Sequence, residues 1–179
     1  MTTFIALLRA VNVGGRKVPM ADLRELCEKE GFTQVQSYIQ SGNLVLGGKG
    51  SAAAVEARLE KAIAKAFGID VPVMVRTAEQ WQAYLTPPKE FAAAAEATPN
   101  WVVLGLSKHL PKPEAVSILQ ARATRGETVR LLGDALWVHY PQGIGESELT
   151  PARIDKAVGS PVTARNLNTV RKLAELAMA

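Results

Sequence analysis

The chain has 179 residues, 47% of them hydrophobic, and a formal net charge of +4, which is enough apolar material for one ordinary domain or two small ones. Its basic and acidic residues are spread along the whole length, which excludes a basic tail and the dense positive face of a chain that lives on DNA. No apolar run approaches the ~20 residues of a membrane span, the start lacks a signal-peptide pattern, and a lone Cys27 with two distant histidines, His109 and His139, excludes an internal disulfide and makes a metal site improbable.

An apolar run at residues 4–8 reads as a first buried strand. It ends in a turn, Gly14-Gly15-Arg16-Lys17, and Pro19 then opens a helix over residues 19–30 whose apolar positions are Met20, Leu23, Leu26 and Cys27. Gly31 is placed to end that helix as a left-handed cap, with Phe32 folding back on it. Residues 35–40 read as a second strand, Ser41-Gly42-Asn43 as a turn, and residues 44–46 as a short third strand. Gly47-Gly48-Lys49-Gly50 reads as a plain flexible loop. It lacks the glycine a Walker-type phosphate loop needs six positions before its lysine, where Asn43 stands. Ser51 caps a long helix ending at Phe67, and residues 71–75 give a fourth strand. Thr77 and Gln80 form a capping box for one more short helix carrying Trp81 and Leu85.

Residues 91–99, rich in alanine and interrupted by proline, read as a short helix with a linker. The second half then repeats the order. A strand at residues 101–106 is followed by a helix over 113–123 and by a hairpin of strands 128–132 and 136–140 around Gly133-Asp134. A helix opened by Thr150-Pro151 and ended by Gly159, a strand at 161–163, and a last helix capped by Asn166 complete it. The expected fold class is therefore α+β, with two ferredoxin-like β-α-β-β-α-β plaits in tandem, each followed by an extra helix. The expected domains are residues 1–86, a Pro/Ala-rich linker at 87–100, and residues 101–179.

Four stretches carry a family resemblance. They are Leu-Leu-Arg-Ala-Val-Asn-Val-Gly-Gly (residues 7–15), Val-Pro-Met-Ala-Asp-Leu (18–23), Tyr-Ile-Gln-Ser-Gly-Asn (38–43) and Thr-Ala-Arg-Asn-Leu-Asn-Thr-Val (163–170). The chain resembles the domain of unknown function 1697 family of bacterial proteins, from its first strand to its last helix. Ala10 stands where the family pattern has glycine, and Leu46 where it often has an aromatic. The resemblance implies a two-plait α/β fold and no established activity, so no catalytic residue follows from it.

From the residues themselves, the first candidate site is the Gly14-Gly15 turn with Arg9, Asn12, Arg16 and Lys17. Free amides and basic side chains before a helix suit an anion, although a glycine turn with solvated basic residues has the same letters. Gln40, Ser41 and Asn43 could offer amides and a hydroxyl to a ligand, or simply make a turn. If strand one ends near where strand two starts, that turn lies at the opposite edge from Gly14-Gly15. Arg76 before Thr77, and Arg165 with Asn166, stand at equivalent places entering helices, where Thr77 and Asn166 equally read as plain N-caps. Cys27 reads as core.

Three functions follow as expectations. The first is a binding module for a phosphate-bearing ligand, a nucleotide or nucleic acid. Stacking of RNA on the sheet face is disfavoured, because the central strands lack the aromatic pattern. The second is an acylphosphatase-like phosphate hydrolase, by analogy of fold alone. The third is a non-enzymatic interaction or assembly protein, in keeping with the lack of a sharp nucleophile or general base. Whether the chain is an enzyme stays open, no cofactor is implied, and the expected location is cytoplasmic.

Overall fold

The apolar run near the start forms strand β1 (Thr2–Leu8), and Phe4, Ile5, Ala6, Leu7 and Leu8 are all fully buried. A strand buried on both faces belongs inside a sheet, and β1 is an inner strand in the order β2-β3-β1-β4. The computed structural model describes residues 1–179. It is α+β, with two four-stranded antiparallel sheets and seven helices. No helix is long and apolar enough to cross a membrane.

Helix α1 (Met20–Lys29) stops where its sequence says it should. Gly31 sits at φ +85°, its amide donates to the Glu28 carbonyl at 2.9 Å, and the Phe32 amide donates to the Cys27 carbonyl at 3.0 Å. This is a Schellman cap, with Phe32 buried as its apolar contact. Strand β2 (Thr33–Tyr38) starts and ends two residues before the expected span. A bulge between Thr33 and Gln36, with Gln34 at φ +50°, shifts its register, and Ile39 at φ +50° ends it.

Strand β3 (Asn43–Gly48) runs through the glycines expected to be a loop. A Cβ at Gly47 would lie 2.7 Å from the Thr33 hydroxyl oxygen, and one at Gly48 would lie 3.0 Å from the Phe32 ring. These glycines therefore let the neighbouring strand approach and do not mark a flexible segment.

Ser51 caps helix α2 (Ala52–Phe67), and Gly68 ends it at φ +67°. Strand β4 (Val73–Thr77) leads into helix α3 (Ala78–Trp81) through the Thr77/Gln80 capping box. Both helices α1 and α2 lie on one face of the sheet. Phe4, Ala6, Leu8, Leu44, Leu46, Val73 and Val75 meet Leu23, Cys27, Val55, Leu59 and Ile63 there in one core. Burial pushes the Cys27 thiol up to about 12, with Glu28 and Glu30 adding to the shift.

After helix α4 (Ala92–Ala97), the second sheet follows the same plan. Its elements are β5 (Val102–Ser107), α5 (Ala115–Gln120), β6 (Thr128–Leu132), β7 (Ala135–His139), α6 (Pro151–Val158), β8 (Val162–Asn166) and α7 (Leu167–Met178). Its strand order is β6-β7-β5-β8, and its core gathers Val103, Leu119, Val129, Leu136, Val138, Ile154 and Val158. Helix α5 is shorter than the expected 113–123. Strand β8 is longer than 161–163, because pairing with β5 carries it to Asn166. The chain divides into two units, Met1–Ala83 with Lys172–Ala179, and Tyr84–Arg171. The end of α7 is thus grouped with the N-terminal unit.

Candidate functional site

Antiparallel pairing decides where the predicted residues go. β3 is antiparallel to both β1 and β2, so β1 and β2 run the same way and finish at one edge. The expectation that the Ser41-Gly42-Asn43 turn lies opposite Gly14-Gly15 is therefore corrected. The crossover through α1 returns the chain to the far end before β2 begins, and β2 climbs back. The Leu8 amide donates to the Gly42 carbonyl at 2.8 Å, and the Arg9 amide to the Pro72 carbonyl at 3.0 Å. Three segments share this edge: residues 9–19 after β1, residues 39–42 between β2 and β3, and residues 68–72 before β4.

Asn12 joins two of them. Its Nδ2 donates to the Val18 carbonyl at 3.1 Å and to the Gln40 carbonyl at 2.6 Å, and its Oδ1 accepts from the Val18 amide at 2.9 Å. Asn12 itself sits at φ +58°, where asparagine is one of the few tolerated side chains. Between Val13 and Arg16 the chain makes a tight turn. The Arg16 amide donates to the Val13 carbonyl at 3.2 Å, and Gly14 and Gly15 both have positive φ, as a type I′ turn requires. The Asn12 amide closes the base on the Arg16 carbonyl at 2.6 Å, and the Lys17 amide donates to the Gly15 carbonyl at 3.1 Å.

The loop is thus not lined throughout with bare amides. Those of Asn12, Arg16, Lys17 and Val18 are bonded within it. Val13, Gly14, Gly15 and Lys17 are exposed at its tip, and the Arg16 guanidinium reaches back to the Asp70 carbonyl.

The partners of the second turn are mostly internal. Asn43 is fully buried, and its Nδ2 donates to the Tyr38 carbonyl at 3.0 Å and to the Ser41 hydroxyl at 2.9 Å. Gly42 is tied to this geometry twice. It has φ +80°, and a Cβ there would lie 2.6 Å from Val11 and 2.8 Å from Leu8. Gln40 is exposed. Beside it, Ile39 is 51% exposed, and Val13 on the neighbouring loop is 57% exposed.

Arg76 lies elsewhere. It pairs with Ile5 near the finish of β4, toward the opposite end of the sheet, and donates to the Val75 carbonyl at 2.9 Å. Arg165 holds the equivalent position on β8, opposite Leu104. It bonds the Thr163 hydroxyl at 2.8 Å and the Ala164 carbonyl at 2.9 Å, and burial pushes its pKa down to about 10. Asn166 accepts the Thr169 amide at 3.0 Å as the N-cap of α7. No group of three or more His, Cys, Asp or Glu side chains is placed to hold a metal ion.

The segment at residues 68–72, with its Asp70 and Pro72 carbonyls, had no signal in the sequence beyond Gly68 ending a helix. Chemically, the edge offers guanidinium, ammonium and amide donors around an exposed turn whose base is held by Asn12.

No curated protein matches the chain. Among solved structures it is similar to that of a conserved bacterial protein, SP0830 from Streptococcus pneumoniae. The identity is 22% and the TM-score 0.74, over 98% of each chain, a likeness of fold. The model of the family described as protein of unknown function (DUF1697) matches residues 1–137, a span that includes every segment of the loop edge. The chain therefore belongs to that family.

Proposed function

We propose that the loop edge of the N-terminal unit is a recognition site for a phosphate-bearing ligand, a nucleotide or nucleic acid. The observation that carries this is the Asn12 clamp on Val18 and Gln40. It fastens two sequence motifs together at one edge and fixes the base of a turn bearing Arg16 and Lys17, with Arg9 at its root. A pre-set loop loses little entropy when it binds, so its cationic side chains act at full effect. Recognition rests on side-chain charge and the exposed backbone of residues 13–15, because other amides of the loop are already occupied. Asp22 and Asp70 are the carboxylates nearest in sequence to the three segments, against Arg9, Arg16 and Lys17.

We infer also that each unit is a ferredoxin-like plait. The β-α-β-β-α-β order and the arrangement β2-β3-β1-β4, repeated as β6-β7-β5-β8, support that reading.

The test is a titration of the whole chain with inorganic pyrophosphate and with a mixed-sequence single-stranded oligonucleotide, at low and moderate salt. Binding should weaken as salt rises and fall further in an Arg16→Ala/Lys17→Ala variant. Absence of binding to both probes, or binding indifferent to salt and to these substitutions, rules the reading out.

A further inference from the structure

We propose that the groove between α5 and α6 receives an amphipathic helix from a partner protein, with aliphatic residues on one stripe and carboxylates on its flanks. The groove has a volume of about 410 Å³ and is lined by Ile118, Leu119 and Arg122 on one side and by Arg153, Lys156 and Ala157 on the other. Leu119 and Ala157 are buried and make its floor. Ile118 stands at its lip, 48% exposed. Ile118 and Leu119 come from α5 and Arg122 from the turn just after it, while the spacing i, i+3, i+4 puts Arg153, Lys156 and Ala157 on one stripe of α6. The result is an apolar trough with cations along it.

The charge in the groove has one sign. Its lining holds three cations and no carboxylate. Arg153 is turned toward Glu148, pairing with its carboxylate and donating to its carbonyl at 2.8 Å. Asp155, the acidic residue of α6, is turned the other way and accepts the Val162 amide at 3.0 Å. Glu114 precedes α5, at the opposite end from Arg122. Arg122 and Lys156 are exposed and stand without an ion-pair partner.

An acidic helix fits this better than a free amphiphile. The groove is open to solvent, so a lone acyl chain would leave much of its length wet. A helix satisfies its own backbone and needs to bury only one stripe. The six residues of α5 span about 9 Å, which matches one i, i+4 pair of leucine-sized anchors. Flanking carboxylates would meet Arg122 and Lys156 and set the direction of docking.

The probe is a fluorescein-labelled peptide of about 15 residues, long enough to form helix, with Leu on one stripe and Glu on its flanks. A twin carries Lys for every Glu. Anisotropy and backbone-amide shift mapping on the full chain should show the Glu peptide binding and perturbing α5 and α6. Arg122→Glu with Lys156→Glu should weaken it by about tenfold or more and turn the preference toward the Lys peptide. Ile118→Ser should weaken both peptides. These positions are exposed, so the variants should melt with the parent. No binding at millimolar peptide, equal affinity for the two peptides, or shifts confined to other elements would overturn the proposal. Laurate binding the same residues with the same dependence on Arg122 and Lys156 would also overturn it, in favour of a small anionic amphiphile.

Discussion

Asn12 does two jobs with one amide. It holds a left-handed backbone at φ +58° and bonds both Val18 and Gln40. The two jobs separate by substitution. Asn12→Ala loses the hydrogen bonds, at about 1 kcal/mol each, and adds about 1 kcal/mol of left-handed strain, so urea unfolding should show a loss of about 2–4 kcal/mol. Asn12→Gly removes the strain and keeps the bond losses, and should recover roughly 1 kcal/mol. Faster amide exchange at Val18 is expected in both. The sequence marked Asn12 as a polar group beside a turn. It did not mark Gln40 as its partner, because a carbonyl carries no residue-specific letter and the two lie 28 positions apart. Ile39 was equally hidden, since a β-branched residue is a poor guess for φ +50°.

Glu127 offers a second measurement at this scale. It is 3% exposed, and its carboxylate accepts the Ser147 hydroxyl at 2.7 Å and the Arg125 amide at 2.8 Å. Burial pushes its pKa up, and the hydrogen bonds from Ser147 and backbone amides outweigh burial, so the net shift is downward. A carboxyl held below its ordinary value stabilises the fold above that value, and the stability is lost as pH falls through the folded pKa. The melting temperature of the native chain should therefore drop on acidification below about pH 4.5. Glu127→Gln should start lower and lose less over the same range.

At the scale of elements, helices do more than cover the sheets. They also close the outer strands. Glu60 and Glu56, one turn apart on α2, accept the Val73 and Val75 amides of β4, each at 3.0 Å. Asp155 on α6 does the same for β8 at Val162. Gln120 on α5 accepts the Val129 amide of β6 at 3.0 Å and donates to the Glu127 carbonyl at 2.9 Å. An outer strand with open amides is a template for pairing with other chains. Glu56→Ala with Glu60→Ala should cost about 3–6 kcal/mol in urea unfolding, from two charged hydrogen bonds, and should raise light scattering on mild heating. Outer strand β2 is blunted instead by its bulge. Helix ends were legible from local letters, as at Ser51, Thr77 and Thr150, whose side chains cap the following helices. The inward-facing carboxylates were not, because a Glu on a helix usually reads as a solvated face.

For the molecule as a whole, α7 is the element to watch. It begins at Leu167, in the unit Tyr84–Arg171, and Lys172–Ala179 is grouped with Met1–Ala83. Leu173 and Ala174 are buried. Leu176, Ala177 and Ala179 line a pocket with Thr3, Gln34, Gln36 and Val45. No change in composition marks residue 172, since the helical stripe Leu167, Val170, Leu173, Leu176 continues across it. A chain truncated after Arg171 should therefore lose stability in the N-terminal unit although residues 1–83 are intact. Burying one leucine is worth roughly 1.5–3 kcal/mol, and hydrogen exchange in β1 to β3 should quicken while β5 to β7 change less.

The same arrangement bears on how the protein comes into being. Translation delivers residues 1–83 first, yet residues 172–179, which complete their unit, emerge only after the whole of Tyr84–Arg171. Nascent domains otherwise settle in order of synthesis. Here residues 1–83 reach their full complement only once residues 172–179 have emerged, after the middle has had time to fold. A stop codon in place of Lys172 would thus leave its mark far upstream, in residues 1–83.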